Sequence, residues 1–167
     1  MSMLPSSRLG NTGAVLTATF VRHRGGRDHI YVTRADGTEV HWQFPASGDG
    51  LPHDLVHLVV ESGLEMRDGF WGLIDRGADV AVVDNEPTLV RGGRPLVEDT
   101  AFDGDGLRAA EAAVGGLGPP GDGVQRGYVI PAAYVPPELA AVRLRLLDLQ
   151  RDWAALPDRG SITVSFG

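Results

Sequence analysis

The sequence predicts an α+β fold, an antiparallel meander of three strands plus a C-terminal strand, with helices packed on one face. Three observations lead there. Apolar and polar residues alternate with period two in three successive early segments and again in SITVSF near the C-terminal end. Glycine turns, Gly25-Gly26 and Asp36-Gly37, separate the early segments. Later stretches repeat apolar residues at three- and four-residue steps, the spacing of a helix with one buried face.

Residues 14–22 (AVLTATFVR), 29–34 (HIYVTR) and 38–44 (TEVHWQF) are rich in β-branched and aromatic side chains and form the meander. Period two puts Leu16, Ala18, Phe20, Ile30, Val32, Val40, Trp42 and Phe44 on an apolar face, with Thr17, Thr19, His29, Tyr31, Thr33, Glu39, His41 and Gln43 on a wet one. Arg22, Arg24 and Arg27 flank the first turn and read as a solvated loop tip, with an anion or acidic partner as the alternative. Residues 1–13 read as a loose N-terminal arm.

The segment 51–61, LPHDLVHLVVE, reads as a helix. Pro52 suits its first turn, and Asp54 complements the helix dipole there. At 100° per residue His53, Asp54, His57 and Glu61 fall within an arc of about 100°, and the leucines and valines fill the rest. The chain then offers a short aromatic cluster (Phe70, Trp71, Leu73, Ile74) as core material, an unassigned stretch at 78–98, and a helix at 107–114 capped by aspartates. Asp103, Asp105 and Glu111 lack the spacing of a calcium loop. Residues 115–123 (GGLGPPGDG) read as a flexible connection, and 124–137 as extended chain. The longest helix runs over 138–156, with Leu139, Val142, Leu146, Leu149 and Trp153 on one face as core or a dimer seam. The strand 161–166 joins the meander's edge or a partner's sheet.

Length and composition set the remaining bounds. The 167 residues make one domain with room for a real core. With no cysteine, a metal site must use His, Asp or Glu, and the composition fits a reducing cytoplasm. No apolar run has signal-peptide or membrane-span length, so neither a leader nor a membrane is expected. A net charge of -7 argues against nucleic acid. All 15 basic residues are arginine, the usage of a GC-rich genome, which leaves no lysine for a Schiff base or a phosphate loop. G-x-S-x-G is absent and no GxGxxG joins a strand to a helix in a βαβ unit, so serine-nucleophile and dinucleotide chemistry have no support.

Chemistry therefore concentrates on His53 and His57. One helical turn separates them by about 6 Å along the axis, so both imidazoles can reach one ion. HDLVH resembles the HExxH pattern of zinc hydrolases over five residues, with Asp54 where those enzymes carry a water-activating glutamate. HDxxH is also similar to the metal motif of a ubiquinone-biosynthesis protein family, which places a glutamate twelve residues later, where this chain has Gly69. More broadly, the run from RDHIYVTRADGTEV to LPHDLVHLVVE resembles a family of uncharacterised actinobacterial proteins, a resemblance that implies no activity.

Glu61 lies on the correct face but about 9 Å along the axis from the histidine midpoint, which suits a supporting role. His29 and His41 belong to the opposite side of the sheet, so a third ligand is expected from Glu65, Asp68 or Glu86. Two functions follow. One is a small interaction or structural domain, partnered by another protein or a second copy. The other is a metal-dependent, hydrolase-like enzyme with His53 and His57 on zinc and Asp54 or Glu61 moving protons.

Overall fold

A computed structural model describes residues 14–45, 48–117 and 136–167. The arm at 1–13, the extended stretch at 124–135 and most of the glycine-rich connection lie outside them. The expected meander is present as β1 (Leu16–Val21), β2 (Arg27–Thr33) and β3 (Glu39–Pro45), and β7 (Ser161–Phe166) joins it beside β1, giving the antiparallel order β3-β2-β1-β7. The pairing Ala18↔Val32, Phe20↔Ile30 and Ile30↔Trp42 puts the apolar side chains on one face, where Val164 and Phe166 of β7 join them. At the β2–β3 turn Gly37 takes φ 88°, and Asp36 Oδ1 accepts the Thr38 amide at 2.9 Å. Only glycine adopts that φ without strain, which is why Asp-Gly marks the turn.

The helices α1 (His53–Gly63), α2 (Phe70–Asp75), α3 (Asp105–Gly115) and α4 (Ala140–Ala155) cover the apolar face. Helix α1 is the middle layer, with α2, α3 and α4 against it and β7 beneath. Every residue from Asp54 to Glu61 is buried, so of the polar stripe only His53 is exposed. The arc itself does not tell that its carboxylates and His57 are dry; they are, because α2, α3 and α4 all pack against α1. Its five leucines and valines at 55, 56, 58, 59 and 60 each contribute roughly 1.5–3 kcal/mol on burial. Gly63 lets α4 approach: a Cβ there would overlap the Val142 side chain. The α4 stripe goes to the core, with Leu139, Val142, Leu146 and Trp153 buried. Among the described residues no helix is long and apolar enough to cross a membrane.

The unassigned stretch forms a second antiparallel sheet of β4 (Asp79–Val83), β5 (Glu86–Arg91) and β6 (Arg94–Pro95). Asp84 and Asn85 turn the first hairpin with φ 51° and 62°, and Gly92 and Gly93 turn the second. Such paired left-handed residues match the twist of the flanking strands.

Two buried arginines tie strands to helix ends. Arg22 is only 4% exposed, which corrects its reading as part of a solvated tip; Arg24 and Arg27 are exposed as expected. Its Nη1 donates to the carbonyls of Trp153 (2.8 Å) and Ala154 (3.1 Å) at the end of α4, where Trp153 O also accepts the Leu156 amide. Arg34 donates from Nε to Ile74 O at 2.7 Å, and from Nη2 to Ala78 O at 2.7 Å and Asp79 Oδ1 at 2.9 Å, fixing the path from α2 into β4. Replacing Arg34 with Leu removes the donors from the buried Ile74 and Ala78 carbonyls, while the exposed Asp79 carboxylate turns to solvent. Urea unfolding of Arg34→Leu should show a loss of about 3 kcal/mol. Arg91→Gln, at an exposed position, should stay within about 0.5 kcal/mol of the parent.

Candidate metal centre

Pro52 leads into α1 with φ -56° and ψ 134°, and its carbonyl takes the amides of Leu55 and Val56. The helix places His53 and His57 one turn apart as expected, with ring centroids 4.7 Å apart and planes nearly perpendicular at 78°. The carboxylate that approaches them is Glu111 of α3, not Glu65, Asp68 or Glu86. Asp68 instead pairs with Arg76 at 2.7 Å. His53, His57 and Glu111 each present one donor atom, and these three atoms lie within 4.8 Å of one another. His57 is buried and forms the floor, while His53 and Glu111 are exposed and form the rim. In the sequence Glu111 presents itself only as a calcium candidate with Asp103 and Asp105, and nothing there pairs it with the histidines. The available signal was its position beside the apolar stripe of Leu107, Ala110 and Val114, at the margin where α3 meets α1.

Glu61 stands behind His57, completely buried. Its Oε2 lies 3.1 Å from His57 Nδ1, and its Oε1 accepts the Trp71 amide at 3.0 Å. A Cβ at Gly69 would collide with Oε1, so glycine there opens the space this carboxylate fills. A carboxylate at Nδ1 selects the tautomer with the proton on that nitrogen, which turns Nε2 forward as a donor. Nε2 is buried and makes no hydrogen bond. Glu111 Oε1 is 3.2 Å away, but it lies off the direction in which the ring nitrogen could donate.

Asp54 points elsewhere. Its Oδ2 accepts the Trp42 indole N–H at 3.1 Å, its backbone carbonyl accepts that of Trp71 at 2.8 Å, and it is not among the three converging donors. Burial pushes its carboxyl up to about 6, partly offset by the Trp42 bond. Burial also works to lower His57, but the carboxylates of Glu111 and Glu61 outweigh it and raise the imidazolium to about 9. Glu111 is lowered chiefly by His57, and His53 is lowered by burial and then by His57. Without a metal, then, His57 is a cation between two carboxylates, and His53 is a neutral donor beside it. His29 and His41 lie on the outer sheet face as expected, so the histidines do not form one cluster.

Comparison with known proteins finds no matching family model, no matching curated protein and no matching solved structure.

The raised His57 gives a stability term with a definite sign. Its contribution is complete below pH 6.5 and is lost as pH rises through about 9. That shift corresponds to about 3 kcal/mol. EDTA-treated protein should therefore lose on the order of 3 kcal/mol between pH 7 and pH 10, read as a falling urea midpoint. The chain has no lysine or cysteine to obscure this window. In His57→Asn the midpoint should be nearly flat across it.

Proposed function

We propose that the protein is a zinc-type metal protein with hydrolase-like chemistry, its ion held by His53, His57 and Glu111. The observation that carries this reading is His57 Nε2, a buried polar atom with no hydrogen bond, faced by a second imidazole and a carboxylate. A buried polar atom without a hydrogen bond costs about 1–3 kcal/mol; among the described residues only the ion-pair approach of Glu111 offsets that cost here, and a cation between the two would satisfy both groups directly. The donor set suits the ion: two neutral imidazoles and a carboxylate are a known catalytic zinc set, which leaves a position for water or substrate. The charges balance as well, since Glu111 and the supporting Glu61 offset a divalent cation.

When bound, such an ion supplies Lewis acidity and lowers the pKa of water beside it. The chain's own residues set the rest. Glu61 orients His57 and keeps its Nδ1 protonated. Glu111 and His53, at the exposed rim, leave the site open to solvent on one side. Asp54, the proton mover suggested by the HDxxH pattern, and Glu61, the one suggested by the shared helix face, both have engaged carboxylates. In this reading Glu61 is a positioning residue, and Asp54 anchors α1 to Trp42. The second reading is an interaction domain or homodimer, for which the exposed large apolar residues among the described ones are Val15, Tyr31, Val82, Val83, Val97 and Leu144.

Zinc titration of EDTA-treated protein by calorimetry tests the proposal. One equivalent should bind. His57→Asn and His53→Asn should weaken it more than about 100-fold, and Glu111→Gln and Glu61→Gln by about 10- to 100-fold. Asp54→Asn should leave it unchanged. Absence of binding, or a His57→Asn variant that binds normally, overturns the metal centre. For the chemistry, zinc-loaded protein should hydrolyse p-nitrophenyl acetate faster than the stripped and His57→Asn forms. Tight zinc with no such difference removes the hydrolase-like part and leaves the metal centre alone.

A further inference from the structure

The outer face of the four-stranded sheet carries donor side chains that the α1–α3 centre does not use. His29 and Tyr31 share that face of β2, and Tyr31 pairs directly with His41 on β3. The His29 ring stacks on Tyr31 with centroids 4.3 Å apart and planes at 18°, and His41 lies alongside Tyr31 at 5.8 Å and 22°. This arrangement brings His29 Nε2 to 3.2 Å from His41 Nδ1, and the Tyr31 hydroxyl to 3.2 Å from His29 Nδ1.

That spacing has chemical meaning. Two imidazole nitrogens bound to one first-row ion at about 2.0–2.1 Å stand roughly 2.9 Å apart at a right angle and roughly 3.3 Å apart in a tetrahedron. The 3.2 Å between His29 and His41 falls inside the range, so the rings need to swivel but the strands need not move. Protonation is compatible too. If His29 Nδ1–H donates to the Tyr31 oxygen, its Nε2 keeps a free lone pair. His41 frees its Nδ1 by carrying its proton on Nε2, a change of tautomer with no net loss of charge. The strand register already fixes both backbones, and the ring stack limits side-chain freedom, so little ordering remains to be done on binding.

We propose that this face is a second metal site, a two-imidazole chelate of His29 and His41 for a late first-row divalent ion. Tyr31 is its positioning residue, setting the His29 tautomer through its hydroxyl. With imidazole as the protein donor, Cu(II) is favoured over Ni(II) and Zn(II) by the general order of divalent affinities. The remaining coordination positions are left to water or to a donor from another molecule. The site shares no residue with the His53/His57/Glu111 centre and lies on the other side of the sheet, so it stands or falls independently of the function proposed above.

The test is a Cu(II) titration of the EDTA-treated full chain in the His57→Asn background, with glycine as competing chelator, followed by calorimetry and electron paramagnetic resonance. One tight equivalent with hyperfine splitting from two imidazole nitrogens is expected. Adding His29→Asn or His41→Asn should weaken it about 30-fold or more, because a chelate loses its second donor. Tyr31→Phe should weaken it about 3- to 10-fold and alter the hyperfine pattern, which a purely structural tyrosine would not do. These side chains lie on the outer face, and circular dichroism checks that the fold is kept. A tight equivalent that survives the His29→Asn/His41→Asn pair overturns the proposal. So does parent affinity no tighter than that of either single variant, the mark of single-imidazole binding. Unchanged affinity and spectrum in Tyr31→Phe overturns the role given to Tyr31.

Discussion

A carboxylate fully removed from water lies where α1, α2 and the loop before α2 meet, and the arrangement of the site follows from how that charge is satisfied. Glu61 accepts from the His57 ring and from the Trp71 amide, and Gly69 gives it room. An unpaired carboxylate there would be untenable, since burying a bare charge costs several kcal/mol even after relaxation. The donors it requires set the geometry around it. The Trp71 amide fixes where α2 begins relative to α1, and the His57 proton fixes which ring nitrogen faces Glu111. Packing and chemistry thus share one group. A change at position 61 is felt both in how α2 docks and in what the imidazole can bind.

Much of this architecture is legible in the residues, because regular periodicity maps directly onto burial. Alternation in LTATFV and HIYVT predicts the two faces of the sheet, Asp36-Gly37 predicts its turn, and the steps from Leu139 to Trp153 predict the buried face of α4. The paired histidines are visible for the same reason. What stays hidden depends on which surfaces meet. A wheel of LPHDLVHLVVE shows a polar arc but not that α3 and α2 close over it, so Asp54, His57 and Glu61 look wet when they are dry. Nothing near Glu111 in sequence points to His57, which comes 54 residues earlier. The β4–β5 hairpin is obscured because its turn uses Asp84 and Asn85 in left-handed conformations without a glycine, and because its outer valines do not alternate cleanly with polar residues.

The two interior arginines show the same limit from another side. Charge and flexibility argue for solvent at Arg22 and Arg34, and local sequence gives no reason to think otherwise. Each is buried where a helix end presents carbonyls with spare acceptor capacity, and a guanidinium can serve several of them at once. Arginine is suited to this role because its planar fork meets acceptors in several directions, whereas a lysine ammonium is a compact point charge.

The pairing of β1 with β7 brings together Thr19 and Thr163, 144 positions apart. During synthesis the first strand emerges long before its neighbour exists, so for most of translation Leu16, Ala18 and Phe20 sit on a strand with an open edge. Contacts this distant are entropically slow to form, and a sheet of such topology folds late and as a whole. The nascent polypeptide therefore passes through an interval in which its greasiest surface is bare, and its yield in the cell depends on how well that interval is shielded from other chains.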